Sequence, residues 1–124
     1  WLVRMVEAIH GRIHQRQDIA HSIRDYLEQN YMHDLPQAAA AAHFHLNASY
    51  FSQYFKQQFG QTYVQYLNTL RLEQAKRLLR TTQESTEAIC ARVGIPNVNY
   101  FFRLFKKMEG RTVKAYRQAN REKS

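Results

Sequence analysis

Apolar and polar positions follow the period of a helix along most of the chain, and the clearest pattern occurs twice. Phe51, Phe55 and Phe59 stand four apart among polar residues, and fifty positions later Phe101 and Phe105, flanked by Leu104 and Met108, draw the same stripe. These aromatics are expected to be core. Between the stripes Val64, Leu67, Leu70, Leu72, Ala75, Leu78 and Leu79 recur at helical spacing with no Gly or Pro inside, which predicts one long helix over 62–82, opened by Thr62. Near the start, Leu2, Val6, Ile9, Ile13, Ala20, Ile23 and Leu27 follow spacings of four and three once Arg16 is skipped. That pattern has two readings, a coiled-coil seam that pairs two chains or one amphipathic helix packed on the domain that follows. With only four Gly and two Pro in 124 residues, and Ala, Leu, Gln, Arg and Glu plentiful, the fold class is all-α.

Sliding the sequence on itself by fifty positions aligns Leu35 to Tyr66 with Ser85 to Tyr116, gap-free, with ten identities. They are Ala38/Ala88, Ala41/Ala91, Asn47/Asn97, Tyr50/Tyr100, Phe51/Phe101, Phe55/Phe105, Lys56/Lys106, Gly60/Gly110, Thr62/Thr112 and Tyr66/Tyr116. In the first copy Pro36 suits the opening of a short helix through the Ala38 to Ala42 run, and Phe44-His45-Leu46 carries a turn. Asn47 then caps a helix from Ala48 to about Phe59 that Gly60 ends. In the second copy Thr86 to Val93 is the short helix, Gly94-Ile95-Pro96 the turn, Asn97 the cap, and Val98 to Glu109 the second helix, ended by Gly110. Helix, short turn, capped helix is the helix-turn-helix plan. The chain therefore divides into an N-terminal linker or dimerisation helix (1–17), a first helix-turn-helix subdomain (18–61), a linker helix (62–82) and a second subdomain (83–124). About 19 helical residues within the linker, at about 1.5 Å each, make a strut of roughly 28 Å. That is comparable with the roughly 34 Å between successive major-groove faces of B-DNA.

Charge bears on what the free faces meet. The net charge is +8, and it is unevenly placed: Lys/Arg and Asp/Glu balance at five each through Thr62, whereas thirteen stand against five beyond it. A small basic helical protein seeks a polyanion, and nucleic acid, anionic membrane and acidic partners all satisfy that arithmetic. Opposite the aromatic stripes lie Ser49, Ser52, Gln53, Lys56 and Gln57 in one copy and Asn99, Phe102, Arg103, Lys106 and Lys107 in the other. These groups are mostly hydrogen-bonding or cationic, suited to a groove. Arg103 can make a bidentate contact to guanine, Asn99 and Gln53 can pair with adenine, Ser49 and Ser52 are permissive readers, and Phe102 can meet a thymine methyl or turn inward. Lys56, Gln57, Lys106 and Lys107 are assigned to phosphates, together with the helix starts at Asn47 and Asn97.

With those residues in view, the stretch from about Asp18 to Arg121 resembles the DNA-binding domain of the AraC/XylS family of bacterial transcription regulators. The resemblance rests on Asn47 to Lys56 and Gly60, and on Tyr66-Leu67 followed by Leu70-Arg71-Leu72 and Ala75 to Leu79. It continues through Gly94, Tyr100-Phe101, Phe105-Lys106-Lys107, Gly110, Thr112 and Tyr116-Arg117. The opening Ile23 to Tyr31 is most similar to members that serve as output domains of two-component response regulators. Two positions depart from the pattern: Ile95-Pro96 stands where an aromatic usually follows the glycine, and Val113 where a proline commonly follows the threonine. The resemblance implies two recognition helices in successive major grooves of double-stranded DNA, transcription activation through RNA polymerase, and a bacterial cytoplasmic location. It and the start at Trp1 without a Met point to a sensing or receiver domain upstream, with a homodimer through the N-terminal helix as a further expectation.

Other functions have less in the residues to carry them. The alternative is a basic helical module for RNA or an acidic membrane surface, with the exposed cations as no more than a solvated face. No apolar run approaches the roughly 20 residues a bilayer needs, so no membrane is expected as a partner. His10 with His14, and His43 with His45, are spaced to share a metal, yet neither cluster has a carboxylate or cysteine, and no metal or other cofactor is expected. Cys90, the one cysteine, reads as a small buried hydrophobe, with a redox sensor as the alternative, and suits a reducing compartment. Arg71 is expected to support the strut through an ion pair. With no paired carboxylates, nucleophile-base set or phosphate-cradling glycine loop, the chain is not expected to be an enzyme.

Overall fold

The computed structural model describes residues 19–122. The readings of Leu2, Val6, Ile9 and Ile13, of His10 and His14, and of 1–17 as a helix lie outside them. Among the described residues the chain forms seven helices and no strand: α1 (19–30), α2 (Gln37–His43), α3 (Ala48–Phe59), α4 (Tyr63–Thr81), α5 (Thr86–Arg92), α6 (Val98–Glu109) and α7 (Val113–Glu122). The chain clusters into two units, one built from 19–30 with Pro36–Tyr63, the other from Tyr31–Leu35 with the chain from Val64 onward.

In the first unit Phe51 and Phe55 are fully buried and Tyr63 meets both edge-on, with ring centroids 5.8 and 5.6 Å away. Phe59 stacks on Phe55 at 4.2 Å, and the Arg24 guanidinium lies 5.7 Å from the Phe59 ring. Ile23 and Leu27 are also fully buried in this unit, so these two belong to the domain's own core rather than to a seam between chains. His43, half of a possible metal pair by spacing, instead stacks on Tyr26 at 4.1 Å.

The second unit packs Leu72, Ala75, Leu78 and Leu79 of α4 against Ile89, Cys90, Phe101, Phe105, Val113 and Tyr116. Segment 31–35, expected within the first subdomain, belongs here. Arg71 donates from Nε to the Tyr31 carbonyl (2.7 Å) and from Nη2 to that of His33 (2.8 Å), and Gly94 leaves no room for a Cβ beside Tyr31. From Val64 onward α4 clusters with this unit, with Leu72, Ala75, Leu78 and Leu79 in its core. The two main-chain carbonyls are part of its support from Arg71. Two apolar residues of the helical patterns lie open: Val64 is 56% exposed, Tyr63 taking the buried place at the start of α4, and Met108 is 43% exposed. Met108 falls at the repeat position of Gln58, which is exposed too.

At the end of α6 the second unit also replaces aromatic packing by charge. Where the first copy has Phe59, the second has Glu109, which accepts from Lys76 Nζ at 3.0 Å. Lys76 also meets Glu73 at 3.3 Å with its side chain only 18% exposed. The hydrogen bond to Glu109 raises the Lys76 pKa against the opposing effect of burial. Cys90 is fully buried, and burial, assisted by Glu87, pushes its thiol up to about 11, which keeps it protonated and unreactive at neutral pH.

The internal repeat is not gap-free in space. From the caps onward the fifty-residue register holds, Asn47 with Asn97 and Gly60 with Gly110. In the short helices and turns it is forty-nine. The Leu46 N–H bonds the Ala41 carbonyl as that of Ile95 bonds the Cys90 carbonyl, both at 2.9 Å, and the N-cap positions are Pro36 and Ser85. Pro36 thus stands one position before the helix it was expected to open. Buried Ala40 and Ala41 match buried Ile89 and Cys90. The identities Ala38/Ala88 and Ala41/Ala91 are therefore products of the alanine run, and Pro96 is the extra residue of the second turn.

Candidate nucleic-acid interface

Both second helices begin and end by the same local chemistry. Asn47 holds an extended backbone and its Oδ1 accepts from the N–H groups of Ser49 (2.9 Å) and Tyr50 (3.3 Å), while Asn97 Oδ1 accepts from that of Tyr100 (3.0 Å). Gly60 and Gly110 close the helices in the left-handed conformation, φ 71° and 84°. Because the fully buried pairs Phe51/Phe55 and Phe101/Phe105 hold one side of each helix inward, the opposite side is fixed outward.

On that outward side stand Ser49, Ser52, Gln53, Lys56 and Gln57 of α3 and Asn99, Phe102, Arg103, Lys106 and Lys107 of α6, all exposed. Each set has the spacing i, i+3, i+4, i+7, i+8, which draws one continuous row along a helix. The structure thus brings the expected residues of each copy onto one face. Phe102 is 41% exposed, so its ring is presented with the row and is not turned into the core. Asn47 and Asn97 are occupied as caps, which leaves each Nδ2 group as the side-chain donor. Two tyrosines beside the row, Tyr50 and Tyr100, are exposed as well and were not singled out from sequence, although their identity across the repeat marks them.

Charge sharpens the picture in the second unit. Several cations there are engaged, Lys76 by Glu73 and Glu109 and Arg92 by Glu84 at 2.7 Å. Arg103, Lys106, Lys107 and Lys114, like Lys56 in the first unit, are exposed and meet no acid among the described residues. A helix flank with unspent cations and neutral hydrogen-bonding groups is equipped to meet phosphates and base edges.

The family described as helix-turn-helix domain matches residues 40–119. The chain is 32% identical over 127 aligned residues to the arabinose operon regulatory protein of Escherichia coli K12, covering 98% of this chain and 42% of that protein. It is 34% identical to the C-terminal domain of the two-component response regulator yesN from Fusobacterium nucleatum, with a TM-score of 0.79 over 81% of this chain and 98% of that one. The chain belongs to the AraC-type helix-turn-helix family. This AraC-type domain is a DNA-binding unit of transcription regulation. It shares its fold with the DNA-binding domain of AdpA, solved in complex with a target DNA: TM-score 0.80, 24% identity, 84% of this chain and 94% of that one. The AraC-type chain spans about a third of the length of the first curated relatives it matches. No group of three or more His, Cys, Asp or Glu that could hold a metal occurs among its described residues, and none of their helices is long and apolar enough to cross a membrane.

Proposed function

We propose that α3 and α6 each enter a major groove of double-stranded DNA, in successive turns, so that one chain reads a two-part, non-palindromic site. The observation that carries this is the matched pair of outward rows, five positions long and in the same helical register, on helices with the same caps. Arg103 binds guanine O6 and N7, Asn99 and Gln53 bind adenine, Ser49 and Ser52 tolerate more than one base, and Phe102 packs on a thymine methyl. Lys56, Gln57, Lys106 and Lys107 hold phosphates, joined by the Nδ2 donors of Asn47 and Asn97.

The larger protein is read as an activator that contacts RNA polymerase in the bacterial cytoplasm and carries its sensing or receiver domain outside this chain. The likeness to the C-terminal domain of a response regulator supports that reading. Pairing of two chains through residues 1–17 is the reading kept for the N-terminal stripe, and sedimentation that shows a concentration-independent monomer removes it for this chain.

Selection of sites from random duplex, followed by footprinting, tests the main proposal. Arg103→Ala is expected to lose discrimination at one or two base pairs, by about 1 to 3 kcal/mol. Unchanged footprints and base preferences in that variant reject the assignment. Competition with scrambled duplex at raised salt separates base reading from a basic module for RNA or membrane, because only base reading keeps a specificity ratio.

A further inference from the structure

One basic surface of the second unit adjoins the row on α6 and extends beyond it. A groove of about 420 Å³ is walled by Phe102 of α6 and by Val113, Lys114, Arg117, Gln118 and Arg121 of α7, and none of its lining residues is acidic. Its cations are held differently. Arg117 donates from Nη2 to the Thr82 carbonyl at 2.9 Å and Arg121 from Nη2 to Gln83 Oε1 at 3.3 Å, which fixes both guanidinium groups along the wall. Lys114 is exposed, meets no acid among the described residues, and is the ammonium best placed to reach outward.

The repeat shows that the plan of a capped helix on buried phenylalanines does not require Lys114, Arg117 or Phe102. Fifty positions earlier stand Val64 for Lys114, Leu67 for Arg117 and Ser52 for Phe102, and that copy builds the same capped helix on the same buried phenylalanines. Lys114 and Arg117 are thus additions to the second copy, whereas Arg121 falls on Arg71. Phe102 belongs both to the outward row of α6 and to the groove wall, so a polymer lying along the row continues over the groove.

We propose that this groove grips a backbone phosphate of the DNA strand bordering the major groove that α6 enters, with Lys114 as the main contact and Gln118 as a neutral donor beside it. Arg117 and Arg121 supply positive potential from the wall. The inference rests on the DNA reading above and adds a contact that carries no sequence information.

The test is the salt dependence of binding by the full chain, wild type and Lys114→Gln, to the selected duplex and to a scrambled one. Removal of one phosphate contact lowers the slope of log K against log salt by about 0.9. Between roughly 50 and 200 mM salt the variant therefore loses about threefold less affinity than wild type. The reduction is expected on both duplexes, with footprints and base preferences unchanged. An unaltered slope on both duplexes overturns the proposal, as does a change confined to the selected sequence or one seen with single-stranded RNA and absent from duplex. A wild-type chain that holds both duplexes alike overturns base reading by α3 and α6 instead, and the slope on scrambled duplex still decides the groove.

Discussion

The two turns that join the paired helices do the same work with different residues. In the first, His45 takes the left-handed conformation at φ 57° and Asn47 caps α3 two positions later. In the second, Gly94 takes it at φ 90° and the cap comes three positions later, after Ile95 and Pro96. A histidine is tolerated in the first because it is exposed. The second has no such freedom, since a Cβ on Gly94 would lie 2.6 Å from the Tyr31 carbonyl oxygen and 3.0 Å from Met32. The left-handed residue is thus a local preference in one copy and a close-packing requirement in the other.

The largest expected effect follows directly. Gly94→Ala combines the left-handed penalty of about 1 to 2 kcal/mol with a collision against main chain, so a loss on the order of 3 kcal/mol is expected in urea unfolding. A loss below about 1 kcal/mol would show that segment 31–35 yields easily and that the two turns are equivalent after all. The caps provide the next comparison. Asn47 satisfies two N–H groups and Asn97 one, so Asn47→Ala should cost about 1 kcal/mol and Asn97→Ala less, read from the two melting curves. The reverse order would mean that the second acceptor bond on Asn47 contributes nothing. The smallest effect is a gain: His45→Gly relieves the left-handed strain but adds freedom to the unfolded chain, for a net stabilisation of about 0.5 kcal/mol. A destabilised variant would point to work done by the imidazole itself.

The copies differ in the same sense at their far ends, where Phe59 stacks on Phe55 and Glu109 pairs with Lys76. The first unit closes by burial of rings and the second by charge. Lys114 and Arg117 in place of Val64 and Leu67 make the surface of the second copy more basic, while the buried phenylalanines stay the same. Duplication preserved the packing that makes a helix-turn-helix and let the surface diverge.

Much of this was legible in the residues alone. The repeat, the Asn caps, the Gly stops and the phenylalanine stripes specified α3 and α6 to the residue, because caps and periodicity are local chemistry. The outward rows followed, since a helix with one buried side has its other side determined. Tertiary structure decided what depends on neighbours distant in sequence. Periodicity marks a position as apolar without saying what covers it, so Val64 and Met108 lie open while Ile23 and Leu27 are sealed inside the first unit. The forty-nine-residue register of α2 and α5 was hidden by the alanine run, which matches itself at any shift. Segment 31–35 joined the second unit through Arg71 and Gly94, contacts that close over some forty to sixty positions of chain and leave no mark in the local pattern.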